Sequence, residues 1–278
     1  MVRRALIPVA GLGTRLRPMS SVVPKAMFPL VSGAGRIRPI VHYICAEALA
    51  AGIEEIALIV TPGQEQTFRQ YIAAARQAGD ADVPTRVEYI PAEPRGFGYA
   101  IARGADFVGG QPFMIILGDH VHLADPGREP CGAQVIQAFA EHGGAAMIGM
   151  HAVGPEAIGL VGVARGEPIR GNVFRCTHFV EKPDLAIARK LLRSPGLPKD
   201  QFLAHCGIYL FTSEIFQCLA DLAAKLPEGQ ELQLADAQSL LLKRRPNDYY
   251  LVRIAGRALD TGTPETYAAA LEAMRRAQ

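Results

Sequence analysis

Short runs of consecutive apolar residues alternate, through the first half of the chain, with segments whose apolar positions recur at helical spacing. Residues 4–10 (Arg-Ala-Leu-Ile-Pro-Val-Ala) end at Gly11, 56–60 stop before Pro62-Gly63, 86–90 form a third run, and 113–117 stop at Gly118-Asp119. Continuous apolar character over so few residues predicts strands buried on both faces. Between them, 39–51 closed by Gly52, 66–78 closed by Gly79, and 98–107 predict helices. Strands joined by helices in this order make an α/β fold with a mostly parallel sheet covered on both faces. Such sheets bind ligands beyond the carboxyl ends of their strands.

After about Val153 the rhythm loosens. Residues 161–164, 174–180 and 204–211 predict strands without full crossover helices between them. Residues 214–224 and 234–243 predict helices, 249–254 a last strand and 264–276 a last helix. This half predicts a mixed, partly antiparallel extension of the same sheet. No Ser/Gly-rich linker, internal repeat or low-complexity tract interrupts the chain, so a single domain over 1–278 is expected, with halves 1–153 and 154–278.

Composition narrows the class. Hydrophobic residues at 49% and charged residues at 20% exclude a disordered, fibrous or membrane-spanning chain. Absence of tryptophan and 7% aromatics argue against stacking platforms for single-stranded nucleic acid, and a net charge of +2 gives no global pull toward nucleic acid or anionic membranes. The charge is unevenly placed, however. No acid precedes Glu47, while Arg3, Arg4, Arg15, Arg17, Lys25, Arg36 and Arg38 do, which leaves 22 basic against 27 acidic residues beyond. A cationic N-terminal segment set among glycines suits a polyanionic small molecule; chance spacing of surface arginines is the competing reading. Cys45, Cys131, Cys176, Cys206 and Cys218 are odd in number and form no C-x-x-C, which predicts buried thiols in a reducing compartment, with no disulfide framework or zinc site. No apolar stretch is long enough for a signal-peptide core or a membrane span, so the cytoplasm is expected.

The sharpest local feature is Ala10-Gly-Leu-Gly-Thr-Arg-Leu-Arg-Pro18 directly after the first strand, followed by Pro24-Lys-Ala-Met-Phe-Pro-Leu30. Gly11 and Gly13 let backbone N–H groups approach phosphate oxygens. Leu16 stands where a dinucleotide fingerprint needs its third glycine, no acid follows at ribose-binding distance, and Gly-Lys-Ser/Thr of a Walker A loop is missing. Thr14, Arg15 and Lys25 add a hydroxyl, a fork donor and a point charge, a set suited to a triphosphate.

This segment resembles the G-x-G-T-R-x-x-P…P-K signature of the nucleoside-diphosphate-sugar pyrophosphorylases, and its wording is most similar to the bacterial UTP:glucose-1-phosphate uridylyltransferases. Further matches follow in the family's order: Gly96-Phe-Gly98-Tyr-Ala100, Leu117-Gly-Asp119, Val161-Gly162-Val163, Val180-Glu181-Lys182-Pro183, Gly207-Ile-Tyr209, Glu231-Leu-Gln-Leu-Ala-Asp236 and Asp260-x-Gly262. The resemblance spans nearly the whole chain. It implies a Rossmann-like three-layer nucleotidyltransferase fold, and transfer of a nucleotidyl group from an NTP, UTP first, to a sugar 1-phosphate, glucose 1-phosphate first, releasing pyrophosphate. It implies that Ala10, Gly11, Gly13, Thr14, Arg15, Lys25, Gly96 and Gly98 bind the nucleotide and that Gly162, Glu181, Lys182 and Gly207 bind the sugar phosphate. Arg15, Lys25, Asp119 and Lys182 would then be catalytic, with Mg2+ held by Asp119 and Asp260. It also implies a homo-oligomer; the helix at 264–276 is a candidate contact, and its alanine face could equally pack on its own sheet. Taken alone, the two aspartates read equally as turn or N-cap residues, Glu181-Lys182 as a solvated pair, and Gly162 and Gly207 as strand bulges.

Two departures from the family's pattern loosen the choice of base. Pro91 stands where the uridylyltransferases commonly carry a glutamine that reads the pyrimidine, and His120 follows Asp119 in Gly-Asp-His where relatives have Pro-Asp-Val. Proline offers neither side-chain donor nor N–H, so Glu93, Arg95 or the backbone must read the base, and dTTP or another sugar-like phosphate stays open. His120 and His122 read as polar cleft residues; on a strand they would share a face that Asp119 turns away from. His205-Cys206 reads as a packed, hydrogen-bonded pair. A non-catalytic nucleotide-sensing subunit is the alternative class, and it would be expected to lack Lys25 or the metal carboxylates.

Overall fold

The computed structural model describes residues 1–277 of the chain. In chain order the elements are β1 (Arg4–Pro8), the ribbon β2 (Pro29–Val31) and β3 (Ile37–Pro39), α1 (Ile40–Ala50), β4 (Glu55–Val60), α2 (Glu65–Gln77), β5 (Val87–Pro91), α3 (Phe97–Ala102), α4 (Ala105–Val108), β6 (Phe113–Ile116), β7 (His120–Ala124), α5 (Cys131–His142) and β8 (Ala146–Val153). The second half adds β9 (Gly162–Arg170), β10 (Val173–Glu181), α6 (Leu185–Leu191), β11 (Phe202–Phe211), α7 (Glu214–Ala223), α8 (Leu234–Arg244), β12 (Tyr249–Arg253), β13 (Gly256–Asp260) and α9 (Pro264–Arg276).

Nine strands form one sheet in the order β5-β4-β1-β6-β11-β8-β12-β10-β9. The expected parallel block is β5, β4, β1 and β6, and of the whole sheet only β11 and β10 run against the rest. Alternation along each strand explains the continuous apolar runs. Ala5 and Ile7 face one core with α1, α2, α5 and α9, while Leu6 faces the other with α3, α4, α7 and α8. Met114 and Ile116 repeat this division against Phe113 and Ile115. Helices therefore cover both faces, giving the three layers that the strand composition requires. All five cysteines are buried and free.

The second half extends this sheet in the mixed manner expected. Every residue of β11 is buried, and the strand lies between β6 and β8. Its first half also pairs with β9, Leu203 opposite Ala164, so that β11, β8, β12, β10 and β9 close into a ring of pairings. The residues expected as one helix over 98–107 divide into α3 and α4, because Gly104 lets Leu6 pack where a Cβ would stand 2.5 Å from its Cδ1. The helix at 264–276 packs on its own chain: Ala270 and Met274 are buried, and the Tyr267 hydroxyl donates to the Pro29 carbonyl at 2.6 Å.

β1 proceeds through α1 and α2 to β4 and β5 on one side, whereas β6 returns to pair with β1 on its other side. The loops after β1 and β6 therefore diverge, and a crevice opens at that switch point. Phe113 anchors the strand that ends there. It is fully buried, stacked on Phe216 at 5.0 Å and packed beside Phe211. Phe113→Ala should lower the free energy of unfolding by about 3–5 kcal/mol, measured from urea denaturation.

Candidate active site

The glycine loop after β1 folds over the stem of Lys25. A Cβ at Gly11 would stand 3.2 Å from Lys25 Cε, and one at Gly13 would stand 3.3 Å from Lys25 Cβ and 3.1 Å from Ser20 Cβ. Gly13 also has φ of +58°, and its carbonyl accepts from the Ser20 hydroxyl at 2.7 Å. The loop is held open to the crevice as well, since Thr61 donates its hydroxyl to the Ala10 carbonyl at 3.0 Å. These contacts explain why small residues occupy 10, 11 and 13. They also aim the lysine.

Lys25 Nζ reaches Asp119 Oδ2 at 2.5 Å across 94 residues of sequence. Asp119 follows β6, whose loop approaches β1 so closely that a Cβ at Gly118 would meet the Pro8 carbonyl oxygen at 2.2 Å. The Asp119 carbonyl accepts from both the N–H and the hydroxyl of Thr261, each at 2.9 Å. With β7 and β13 paired so that His120 lies opposite Asp260, that tie brings the second aspartate to the first. Oδ1 of Asp260 accepts from the Gly262 N–H at 2.8 Å, and a Cβ at 262 would stand 3.0 Å from the same oxygen, which favours glycine there.

One atom each from Asp119, His120 and Asp260 lie within 4.8 Å of one another. His120 Nδ1 is 2.9 Å from Asp119 Oδ1. Asp119 therefore does not face away from the histidine, because it sits in the turn before β7 and the strand's alternation does not govern it. Burial opposes charge on Asp119, but Lys25 and His120 outweigh it and hold the carboxyl well below the usual carboxylate range. Burial likewise opposes charge on His120, and the Asp119 hydrogen bond and charge, with Asp260, raise its pKa nonetheless. His122 is not part of the cluster; its Nε2 is 2.7 Å from the Cys206 carbonyl. Two carboxylates converging from separate strand ends are hard oxygen donors that fit a hydrated divalent cation, with His120 beside them.

Two cavities meet at this pair. The first, about 450 Å³, is lined by Ala10 to Thr14, Lys25, Glu93, Pro94, Gly96, Phe97, Ala100 and Glu231 among others. The second, about 470 Å³, takes in Arg15, His151, Val161, His205, Asp260 and Thr266. Gly13, Thr14, Lys25, Asp119 and His120 belong to both. A larger cavity of about 730 Å³ beside α5 shares only His151 with them.

The remaining candidates are placed less uniformly. Gly96, with φ of +104°, lines the first cavity, whereas Gly98 is buried and donates its N–H to the Leu232 carbonyl at 2.8 Å. Both glycines let the loop lie against residues 231–233, since a Cβ on either would come within 2.9 Å of the Leu232 carbonyl oxygen. Arg95 lies over the Tyr99 ring at 4.8 Å and does not line the cavity, while Glu93 does. Glu181 and Lys182 line neither cavity, although the Lys182 N–H donates to the carbonyl of Val161, which does. Lys182 has φ of +49°, a left-handed conformation that costs any residue bearing a Cβ energy and marks a constrained position. Gly207, with φ of +86°, packs against the His120 ring, and Gly162 lies between Glu181 and His205. His205 is not hydrogen-bonded through its ring among the described residues; it stacks on Phe179 instead. Thr261 and His151 were not singled out by the sequence, Glu231 headed a family motif without a role, and His205 was read only as a packed, hydrogen-bonded pair; strand pairing brings Thr261, His151 and His205 here, and backbone hydrogen bonds at Leu232 bring Glu231.

A glycine loop with a lysine, a carboxylate pair and two joined cavities at the switch point of an α/β sheet is the apparatus of an enzyme that passes a phosphorus-bearing group between two anionic substrates. The chain belongs to the nucleotidyl transferase family, which it matches over residues 4–277. It is 31% identical over 253 residues to a UTP–glucose-1-phosphate uridylyltransferase of Bacillus subtilis, covering 85% of this chain and 79% of that protein. A second such enzyme, from Staphylococcus saprophyticus, is 30% identical over 280 residues, covering 94% and 88%. Among solved structures, a UDP-glucose pyrophosphorylase complexed with UDP-glucose superposes with a TM-score of 0.80 at 24% identity, covering 98% of each chain. Enzymes of this family generally use a divalent metal, in keeping with the carboxylate cluster. Among the described residues no helix is long and apolar enough to cross a membrane.

Burial, with a smaller contribution from His151, lowers the His205 pKa to about 3 from an ordinary value of 6.5. The unfolded chain therefore binds a proton that the folded one refuses between those values, and stability present above pH 6.5 is lost as pH falls toward 3. At pH 5 the loss from this group is about 2 kcal/mol. Urea unfolding at pH 7.5 and pH 5 should show a smaller acid penalty in His205→Gln than in the unsubstituted protein.

Proposed function

We propose that the chain, acting as one domain over residues 1–278, catalyses Mg2+-dependent uridylyl transfer from UTP to glucose 1-phosphate. An oxygen of the sugar phosphate attacks the α-phosphorus, the bond to the β-phosphate oxygen breaks, and UDP-glucose and pyrophosphate leave. The observation that carries this reading is the meeting of two cavities at Lys25 and Asp119. The first cavity takes the nucleotide, its glycine loop along the phosphates and its far end, at Glu93 to Ala100, around the base. The second takes the sugar phosphate.

Two polyanions must approach each other, so positioning and charge neutralisation dominate the barrier. Lys25 lies at the junction and Arg15 in the wall of the second cavity, and both bind phosphate oxygens; the pair between Lys25 and Asp119 keeps the ammonium aimed there in the meantime. Asp119 and Asp260 hold the metal, which supplies Lewis-acid stabilisation of the transferred group when bound. Lys182, Glu181, Gly162 and Gly207 stand behind the wall of the second cavity, tied to it by the Lys182 N–H on the Val161 carbonyl, and the family resemblance is what supports Lys182 as a ligand of the sugar phosphate and the other three as ligands of the sugar. A substrate pair of this kind places the enzyme in the cytoplasm.

The choice of base has a second reading, the same chemistry with dTTP or another NTP. Pro91 is the observation that favours it, because the first cavity then carries only the carboxylates of Glu93 and Glu231 and backbone groups at its base end. Retention of Lys25, Asp119 and Asp260 together weighs against a non-catalytic sensing subunit.

Pyrophosphate release with Mg2+ should be greatest for UTP with glucose 1-phosphate in a matrix of five NTPs and several sugar 1-phosphates. Asp119→Ala should cut kcat on the best pair by at least about 100-fold; turnover equal to the unsubstituted enzyme would remove the metal assignment. A homo-oligomer is part of the same proposal, carried by the family resemblance, and a sedimentation mass near 29.9 kDa at micromolar protein would count against it.

A further inference from the structure

The second cavity contains a histidine that the reaction outlined above does not use. His205 is 7% exposed, yet it lines the cavity. Its ring is stacked on Phe179 with centroids 4.8 Å apart and planes 4° apart, and Tyr209 meets it nearly edge-on at 5.4 Å. Those walls fix the plane of the imidazole. Among the described residues neither ring nitrogen makes a hydrogen bond to a protein group, and neither is among the buried polar atoms left without a partner, which include Nε2 of His42 and Nδ1 of His122. The unpaired edge of His205 is therefore one that solvent or a ligand in the cavity can reach, and a ligand that displaces that solvent must satisfy it.

Gly162 locates that edge. A Cβ there would stand 3.1 Å from His205 Nδ1, 2.8 Å from Glu181 Oε2 and 2.7 Å from Phe179 Cε2. The missing side chain thus lets an imidazole nitrogen and a carboxylate oxygen approach the same point of the backbone, one from each side. A hydroxyl both donates and accepts, and an imidazole with one protonated nitrogen offers one of each, so adjacent ring hydroxyls match these two groups. Burial keeps the imidazole uncharged at neutral pH, which preserves its acceptor.

We propose that His205 is a specificity-determining residue for the acceptor, hydrogen-bonding one hydroxyl of the sugar ring that lies over Gly162 beside Glu181. This rests on the assignment of the second cavity to the sugar 1-phosphate. A site built to pair with a hydroxyl discriminates strongly against the analogue that lacks it, because the protein group is then left unpaired.

The test compares kcat/KM for the preferred sugar 1-phosphate and its 2-, 3-, 4- and 6-deoxy analogues in the unsubstituted enzyme, His205→Leu and His205→Gln. The unsubstituted enzyme should lose roughly 100-fold on one deoxy analogue. His205→Leu should lose a similar factor on the parent sugar through acceptor KM, leave the NTP KM unchanged, and be indifferent to that one deoxygenation. His205→Gln, which keeps a donor and an acceptor, should recover most of the loss. If circular dichroism shows His205→Leu unfolded, His205→Asn takes its place in the cycle. Discrimination among the deoxy analogues that is unchanged in the variant, or equal shifts in both KM values, would overturn the proposal. Absence of turnover in the unsubstituted enzyme with every NTP and sugar phosphate would instead remove the reaction reading, and the role of His205 with it, before any variant is made.

Discussion

Lys25 and Asp119 lie 94 residues apart in sequence and 2.5 Å apart in space, and most of the architecture around the site serves that contact. Gly11 and Gly13 clear a path for the lysine stem, Gly118 lets the loop after β6 come up against the end of β1, and Thr261 fixes the Asp119 carbonyl with two hydrogen bonds. A largely buried pair gains Coulomb energy only by giving up hydration, so it is weak support for stability and strong support for orientation. Removing Asp119 would leave the Lys25 ammonium without its partner, and removing Lys25 would leave Asp119 to His120 alone. In the proposed reaction the same two charges would serve catalysis, with phosphate and metal exchanging into the positions they hold against each other.

From that contact the two cavities take their opposite characters. On one side the backbone dominates: small residues at 10, 11, 13 and 96 present N–H groups and leave room for a bulky, charged ligand. On the other, side chains from β8, β11 and the loops around Val161 and Asp260 close in, and histidines replace glycines as the polar groups. A nucleotide's phosphates vary little in shape and are read well by backbone; a sugar's identity lies in the direction of its hydroxyls and needs side chains with fixed planes. The stacking of His205 on Phe179 supplies one such plane.

Legibility of the sequence followed the same division. Strands β1, β4, β5 and β6 were visible because a sheet covered on both faces needs mostly apolar positions, and the loops after β1 and β6 carried Gly11, Gly13, Lys25 and Asp119 in contiguous motifs, as the end of β13 carried Asp260. β8 was not, since Gly149 interrupts it, and that glycine is required by a contact made 57 residues later: a Cβ there would stand 2.7 Å from Cys206 Sγ. The ribbon of β7 and β13 was hidden because it is short and alternates polar with apolar positions. The roles of Thr261, His151 and His205 shared this difficulty, each becoming part of the site through pairings between distant strands that no local pattern records.

Gly96 and Gly98 show how a motif can serve fold and site together. Their absent side chains let the loop after β5 lie directly on residues 231–233, with hydrogen bonds from Gly98 N–H to Leu232 and from Leu232 N–H to Arg95. That backbone pairing joins the first half of the chain to the second and carries Glu231 into the wall of the first cavity, at the end proposed to take the base. Glu93 stands in the same wall, and Arg95, drawn onto Tyr99, does not. With Pro91 contributing no donor, the side chains at that end can accept hydrogen bonds but not donate them, so donors to the base must come from the backbone. Carboxylates accept from any N–H on the pairing edge, the ring N–H of uracil and thymine and the exocyclic amine of cytosine alike, so Glu93 and Glu231 do not by themselves choose the base. Between uracil and thymine the difference is a methyl group, which only the apolar side of the cavity can feel.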